Sequence, residues 1–435
     1  MNFRHHTKRN SKKRDPLNLA TDGHGRLAKF SGRRKPILIT GGAGFIGTNL
    51  AHRLLSEGQP VLLYDNLSRP GVEHNLEWLQ KTHRSLVDVE IADIQDSRKI
   101  SNAVKHVSKV FHLAAQVAVT TSLTDPVHDF EVNARGTLNL LEGLRALVNP
   151  PPVLFTSTNK VYGDLRDVEL QINNGRYEPA DRTLFNHGFN ELRPLDFHSP
   201  YGCSKGCACE YVLDYSRTFR IPAVAFHMSC IYGFHQFGNE DQGWVAHFLI
   251  QALQNKPITI YGDGRQVRDV LFVEDLINAF LLAHENIQKL SGQSFNIGGG
   301  PTNTISLLEL LEILAELQGA KTDAHFERWR SADQRYYVSD IRKFSGATNW
   351  KPKVQAREGI TRLYHWLQEN HPLSSRQAAG LNCLNGSRNE SNRAHHEVAN
   401  RLNGSAHKRQ TRITRLHLSN GMTRKCVQRK LAKAF

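Results

Sequence analysis

A tyrosine and a lysine four residues apart, Tyr201 and Lys205 in the stretch SPYGCSKG, are well suited to acid–base chemistry. On a helix this spacing places both side chains on one face, one turn apart. A phenol with an ordinary pKa of about 10 is a poor base at neutral pH. A neighbouring positive charge favours the phenolate and lowers that pKa. The pair therefore predicts removal of a proton from an alcohol, with Tyr201 as the base.

A second candidate stretch, TSTNKVYGD at residues 156–164, follows an apolar run and lies at the end of a predicted strand. The carboxyl ends of strands are where α/β proteins hold their ligands. Thr158 is placed to hydrogen-bond the reacting oxygen. Asn159 and Lys160 suit the binding of hydroxyl or keto oxygens. The alternative is that Lys160 turns away and pairs with a loop carboxylate such as Asp164.

A glycine-rich turn, TGGAGFIG, stands between a short β-branched run and a helical pattern. Gly41, Gly44 and Gly47 give the spacing that lets backbone approach a pyrophosphate and a helix pack closely on a sheet. The helix N-terminus adds N–H groups and a favourable dipole for the phosphates. Asp65 ends the next predicted strand, where a carboxylate accepts the ribose hydroxyls of NAD and repels the 2′-phosphate of NADP. The pattern predicts NAD as the cofactor.

Other residues are predicted to line the same cofactor site, because they follow the strands of the predicted sheet. A carboxylate after the third strand suits the adenine amino group, and small residues in HLAAQ let the backbone approach the cofactor. Tyr201 and Lys205 also face it, with Lys205 holding the nicotinamide ribose. No metal site is predicted. The remaining candidates are Phe45, Ile46, Asn66, Asp93, Ile94, Ala114, Ala115 and Gln116.

Short apolar runs alternate with helical patterns between residues 36 and 227. This alternation predicts an α/β fold with a Rossmann-type, doubly wound parallel sheet. Residues 228–370 break into shorter elements and are expected to form mainly a smaller, C-terminal substrate-binding subdomain. Residues 1–35 and 371–435 are poor in apolar periodicity and are predicted to be disordered tails.

The net charge of +15 belongs to the two tails, since residues 1–35 carry +9 and residues 371–435 carry +11. The middle of the chain therefore carries −5, and nucleic acid is a possible partner only through the tails. No apolar stretch is long enough to span a membrane. The six cysteines resemble neither a disulfide framework nor a zinc site, so a cytoplasmic location is expected.

The glycine turn, HLAAQ, the strand-end hydroxyl and the Tyr-x-x-x-Lys pair together resemble the extended short-chain dehydrogenase/reductase superfamily of nucleotide-sugar epimerases and dehydratases. The resemblance covers roughly residues 36–370. Within that superfamily the chain is similar to the 2-epimerases of CDP-linked sugars, in STNKVYGDL, LDFHSPYGCSKG, DQGWV, GRQVRDVLFVEDL, FNIGGG and DQRYYVSDI.

This resemblance implies a redox-neutral epimerisation, in which a hydride leaves C2 of the sugar for NAD and returns to the opposite face. Similar sugar dehydratases carry an Asp-Glu pair just after the strand-end threonine. Asn159 and Lys160 stand there instead, which argues against dehydration. The resemblance also makes a homo-oligomer possible.

Five further residues are candidate contacts of a nucleotide-sugar substrate. Guanidinium groups match phosphate oxygens, which favours Arg268 and Arg335 for the diphosphate. Gln242 and Gln334 suit the nucleobase or its ribose, and His198 suits the sugar. The alternative for each is a surface or loop-bracing role.

Two other functions remain open from the sequence. A UDP-sugar 4-epimerase shares the same threonine, tyrosine and lysine. A non-catalytic Rossmann protein recruited through its basic tails is the other alternative, and the intact catalytic residues argue against it.

Overall fold

The computed structural model describes residues 34–370. Strands and helices alternate through most of this range, as the sequence pattern predicts. The strands are β1 (Ile37–Thr40), β2 (Val61–Asp65), β3 (Val87–Ile91), β4 (Lys109–His112), β5 (Val153–Thr158), β6 (Leu170–Asn173), β7 (Arg176–Pro179), β8 (Ala223–Met228), β9 (Cys230–Tyr232), β10 (Ile258–Tyr261), β11 (Val267–Phe272), β12 (Gln293–Ile297), β13 (Thr304–Ser306), β14 (Ala324–Glu327) and β15 (Tyr336–Tyr337).

The α-helices in the same range include short turns and one long helix, α8, that carries the Tyr-x-x-x-Lys pair. A π-helical turn over Glu131–Arg135 joins α5 to α6. The helices are α1 (Phe45–Ser56), α2 (Val72–His83), α3 (Ser97–Ala103), α4 (Val119–Thr124), α5 (Pro126–Phe130), α6 (Gly136–Arg145), α7 (Arg182–His187), α8 (Pro200–Thr218), α9 (Trp244–Leu253), α10 (Val273–Glu285), α11 (Ile287–Leu290), α12 (Leu307–Gln318), α13 (Arg342–Thr348) and α14 (Ala356–Asn370).

Seven strands form the central sheet in the order β12-β8-β5-β4-β1-β2-β3, and every recorded pairing in it is parallel. The chain reverses its direction of winding between β1 and β4. In open α/β sheets the crevice at such a switch point binds ligands. The Rossmann-type, doubly wound fold expected from the sequence is confirmed.

Alternate residues of the sheet strands pack into separate cores on the two faces, as the two-residue period of a strand requires. Ile37 and Ile39 of β1 join a cluster that includes α1, α2 and α10, whereas Leu38 joins a cluster with α3, α6 and α8. Both faces of the sheet are therefore covered by helices, as a parallel sheet needs.

The C-terminal half of the described chain contributes to two layers. Strands β9, β11, β13 and β15 form a second sheet, and α9, α12 and α14 pack with it in a separate apolar cluster. Strand β12 and helix α10, however, pack with the central sheet. Part of the segment 228–370 thus supports the Rossmann fold. Within residues 34–370 no helix is long and apolar enough to span a bilayer.

Candidate active site

A cleft of about 660 Å³ lies at the carboxyl ends of β1, β2, β4 and β5. Its walls contain every residue that the sequence predicts for the cofactor. They also contain three residues predicted for catalysis and one predicted for the substrate: Thr158, Tyr201, Lys205 and Gln242. The structure therefore brings these residues together, although they come from seven separate stretches of the chain.

The glycine turn is shaped by contacts that leave no room for a β-carbon. Gly41 has a φ of 68°, and a Cβ there would lie 2.9 Å from the backbone nitrogen of Ala114. A Cβ on Gly47 would lie 2.3 Å from the carbonyl oxygen of Gly41. Gly44 precedes the first residue of α1, so the N–H groups of this helix start face the cleft. This cradle fits a pyrophosphate.

At the far end of the cleft, two carboxylates are held in place by the backbone. Asp65 accepts hydrogen bonds from the Ala43 N–H at 3.0 Å and the Leu67 N–H at 2.9 Å, and burial raises its pKa. Asn66 donates to Asp93 Oδ2 at 2.8 Å. Burial alone would raise the pKa of Asp93, but hydrogen bonds from Gln95 and Asn66 lower it. These polar groups fit the adenosine half of NAD.

The HLAAQ segment lines the cleft with small side chains at Ala114 and Ala115. The side chain of Gln116 is used within the protein, because its Nε2 donates to Asp129 Oδ1 and to the Ala118 carbonyl, both at 2.8 Å. Gln116 therefore braces the wall of the cofactor site through this side chain.

The three predicted catalytic residues meet where β5 ends beside the start of α8. Thr158 is the last residue of β5, and Tyr201 hydrogen-bonds with it. Ser199 caps α8 by accepting a hydrogen bond from the Gly202 N–H at 3.1 Å, and Pro200 begins the helix. The Lys205 ammonium lies 4.3 Å from the centre of the Phe155 ring.

The protein's own groups, without the positive nicotinamide ring, do not give the expected lowering of the Tyr201 pKa. Burial raises the pKa of Tyr201 to about 12, and the hydrogen bond with Thr158 opposes this rise only in part. Burial also lowers the pKa of Lys205 to about 7. Both charged forms are therefore disfavoured by desolvation, which outweighs the attraction expected between them.

The segment after Thr158, which the sequence predicts to bind substrate, makes several contacts within the protein. The Lys160 ammonium donates to the Ala332 carbonyl at 3.3 Å and lies 3.5 Å from Asp333. Its acidic neighbour is therefore Asp333, whereas Asp164 pairs with Arg166 at 2.6 Å. Burial lowers the pKa of Lys160, and Asp333 opposes this change.

Two other predicted substrate residues are buried, and one of them is bonded to this segment. Gln334 is fully buried, and its Nε2 donates to the Gly163 carbonyl at 2.7 Å. Asn159 donates to Gln334 Oε1 at 3.4 Å. Arg268 is buried against Asp333 at 2.8 Å and also donates to the Gln334 carbonyl. These contacts match the bracing alternative.

The last two predicted substrate residues, like the four just described, are not among the residues that line the cleft. His198 sits between two carboxylates, with Nδ1 2.9 Å from Asp164 and Nε2 3.0 Å from Asp196, beside a separate open pocket of about 940 Å³. Arg335 is exposed and its guanidinium lies 5.3 Å from the Trp329 ring. These partners could not be predicted from the sequence, because they belong to segments that only the fold brings together.

Several residues of the cleft were missed by sequence reasoning. Arg69 lines it and donates to Gln242 Oε1 at 2.9 Å, but a single arginine in a loop belongs to no recognisable motif. Ser229 and Ile231 also line it, near the substrate end. Residues 34–370 contain no group of three or more His, Cys, Asp or Glu side chains suited to a metal ion.

Comparison with known proteins supports the interpretation of this cleft as an NAD site. The model of the NAD dependent epimerase/dehydratase family matches residues 37–298. The chain is 44% identical over 341 residues to the CDP-paratose 2-epimerase of Salmonella typhi, covering 76% of this chain and 98% of that protein. It is 32% identical to a putative UDP-glucose 4-epimerase of Methanocaldococcus jannaschii, covering 77% of this chain and 99% of that protein.

A solved structure extends the similarity to three dimensions. The UDP-glucuronic acid 4-epimerase of Bacillus cereus, in complex with UDP-glucuronic acid and NAD, superposes with a TM-score of 0.66 at 27% identity. The match covers 77% of this chain and 99% of that one.

Proposed function

Because this chain belongs to the NAD-dependent epimerase/dehydratase family, we propose that it is a 2-epimerase of CDP-linked sugars, interconverting CDP-paratose and CDP-tyvelose. The chain is an NAD-dependent enzyme of the nucleotide-sugar epimerase class. The finer assignment is supported by the 44% identity to a protein of that activity over nearly its whole length. The observation that carries the chemistry is the meeting of Thr158, Tyr201 and Lys205 at one end of the cofactor cleft.

NAD, when bound, supplies the acceptor and later the donor of a hydride. Tyr201 is the group that the positive ring of a bound nicotinamide would shift towards its phenolate, in the same direction as the Arg69 guanidinium. Tyr201 takes the proton of the C2 hydroxyl while the hydride leaves the same carbon. Thr158 hydrogen-bonds the oxygen as it becomes a carbonyl, and Lys205 holds the ribose beside it.

Epimerisation then requires the keto sugar to present its other face. Tyr201 returns its proton to the C2 oxygen when the hydride returns to the carbon, so the reaction is redox-neutral overall. The amide of Asn159 and the ammonium of Lys160 replace the two carboxylates that water elimination needs. This absence of an acid–base pair after β5 supports epimerisation over dehydration.

We further propose a cytoplasmic, homo-oligomeric enzyme in which nucleic acid would contact the basic tails. Gln242 and Arg69 line the cleft and are the best placed of the polar candidates to meet a nucleotide sugar. Lys160 and Arg268 share a single carboxylate, Asp333, which leaves one positive charge in excess near the end of β5. That excess suits an anionic or keto oxygen.

The test is incubation of the enzyme with CDP-paratose or CDP-tyvelose in deuterated water, followed by proton NMR. Interconversion without deuterium at C2 is expected, since the hydride stays within the active site. Deuterium at C2 would show proton exchange and contradict the internal hydride cycle. If neither CDP sugar changes but UDP-glucose and UDP-galactose interconvert, the enzyme is a 4-epimerase instead.

A further inference from the structure

A buried carboxylate, Asp129, lies behind the active site and has no role in the chemistry above. It is 0% exposed. Its Oδ2 accepts a hydrogen bond from Ser204 Oγ at 2.5 Å, and its Oδ1 accepts from Gln116 Nε2 at 2.8 Å and Asn133 Nδ2 at 3.2 Å. All three donors are neutral. A buried charge without a contacting cation is costly, so its presence calls for a reason.

The position of Ser204 supplies that reason. Ser204 stands between Tyr201 and Lys205 on α8, and it is 3% exposed. Its Oγ also receives a hydrogen bond from Asn133 Nδ2 at 3.0 Å and lies 3.2 Å from the Tyr201 carbonyl. Asn133 belongs to the π-helical turn that follows α5. Asp129 thus ties the catalytic turn of α8 to α5, to the π turn and to the HLAAQ wall.

The charged and titratable groups that act with Asp129 come from two helices. Lys205 and Tyr201 lie on α8, and His128 lies on α5 beside Asp129 itself. Lys205 is 3% exposed and packs over the Phe155 ring, so it too lacks contact with bulk water. In such a buried setting the negative charge of Asp129 acts on both catalytic groups.

We propose that Asp129 is a positioning residue of the active site, which fixes the catalytic turn of α8 through Ser204 and whose negative charge favours the cationic form of Lys205. The role of Lys205 in this statement rests on the proposed function. The assignment goes beyond the Thr158, Tyr201 and Lys205 set, because those three residues line the cleft and Asp129 lies behind its wall.

The negative charge has a definite effect on the pH dependence. Asp129 raises the pKa of Tyr201 and also that of Lys205. Activity requires the Tyr201 phenolate and the Lys205 ammonium. It therefore rises with pH as Tyr201 loses its proton and falls as Lys205 loses its proton. Removing the charge lowers both pKa values, and both limbs of the pH–kcat profile move to lower pH.

The test compares neutral variants of Asp129 with a variant that keeps its charge. In Asp129→Asn the amide oxygen can accept from Gln116 and Asn133, while the amide nitrogen donates to Ser204, so the packing is retained. Asp129→Ser is a second neutral variant. Ser204→Ala removes the link to α8 but leaves the carboxylate. The pH–kcat profiles and the ultraviolet titration of Tyr201 in the NAD-loaded enzyme are measured, with Tyr201→Phe subtracted.

In both neutral variants we expect a kcat loss of about tenfold and a shift of both limbs by about 0.5 to 1 pH unit to lower pH. The phenolate absorbance should appear at lower pH by a similar amount. Ser204→Ala should lower kcat without moving the limbs or the titration.

Unchanged limbs and an unchanged Tyr201 titration in a folded neutral variant would overturn the proposal and leave Asp129 a purely structural residue. The titration needs no sugar. If no nucleotide sugar is converted but the Tyr201 titration still shifts, the proposed function fails while the role of Asp129 stands.

Discussion

Tyr201 and Lys205 must both be charged in the form that we propose to be active, and burial opposes each charge. The pKa of Tyr201 rises to about 12 and that of Lys205 falls to about 7. The positive nicotinamide ring of NAD favours the phenolate, and the carboxylate of Asp129 favours the ammonium. The pKa values of the two residues therefore depend on charges that other groups carry.

Replacing Tyr201 with Phe removes the base and leaves the ring. We expect kcat to fall by about 10²–10⁴-fold, the usual contribution of a positioned base. The NAD content of the purified protein should stay the same, because the cradle for the phosphates is untouched. Tyr211→Phe is the matched control, since Tyr211 lies on the same helix and is 41% exposed. A similar loss in both variants would argue against Tyr201 as the base.

Replacing Lys205 with Met should stabilise the cofactor-free protein at low pH. The pKa of Lys205 is about 7 in the folded state against an ordinary value of 10.5. Between these values the unfolded chain binds more protons, so the wild-type free energy of unfolding rises with pH in that window and is lowest below it. At pH 6 the gain from the substitution is on the order of a few kcal/mol.

Urea denaturation at about pH 6 and pH 10 measures this effect, since stability depends on protons bound in each state. The variant should lack the rise that the wild type shows across this window. Lys81→Met is the control, because Lys81 is exposed at the end of α2. Equal slopes in the wild type and Lys205→Met would contradict a buried, destabilised ammonium.

At the scale of elements, the site depends on how closely α1 approaches the glycine turn after β1. Gly47 lies in the first turn of α1, and its α-carbon faces the backbone of Gly41 and Gly42. Both sides of this contact are backbone, so neither can move aside as a flexible side chain would. The N-terminus of α1 can face the cofactor phosphates only when the helix packs this closely against the glycine turn.

The substitution Gly47→Ala places a Cβ 2.3 Å from the Gly41 carbonyl oxygen. We expect destabilisation by about 1–3 kcal/mol, as for other overpacked sites, together with loss of co-purified NAD. Gly346→Ala is the control, because Gly346 lies in α13 with no atom within 4 Å of the added carbon. That variant should gain up to about 1 kcal/mol, since alanine favours helix. Retention of NAD by Gly47→Ala would show that the turn can relax.

At the scale of the whole molecule, the excess positive charge and the proposed catalytic residues lie in different parts of the chain. Residues 36–370 carry −5, although the chain carries +15. The described range contains the central sheet, both of its helix layers and the complete cleft. The predicted tails lie outside the described residues, and we propose that polyanion binding would involve the tails and not the cleft.

Removal of residues 1–33 and 371–435 should leave the NAD content and the epimerase activity unchanged. Binding of the full chain to a DNA oligonucleotide should weaken steeply with salt and disappear on removal of the tails, because phosphate contacts release counterions. Fluorescence anisotropy at several salt concentrations checks this, with the shortened chain as the comparison. DNA binding by residues 34–370 alone would contradict the separation of charge.

The sequence by itself predicted the Rossmann fold, which is confirmed, and also the NAD cradle and the Thr158, Tyr201 and Lys205 set, whose members line one cleft. Each of these rests on a local signal: the two-residue or helical period of apolar residues, a glycine spacing, or a four-residue spacing on one helix. Strand ends in a parallel sheet converge on one edge, so residues after different strands could be assigned to one cleft before any contact was known.

Only the tertiary structure decided which polar residues line the cleft and which brace the segments around it. Gln334 and Asn159 bond to each other although 175 residues separate them. Asp129 and Ser204 are 75 residues apart and share the shortest hydrogen bond of the network behind the site. Such partners depend on how remote segments pack, and desolvation of Tyr201 and Lys205 depends on the same packing. No local pattern encodes either, because burial is a property of the assembled fold.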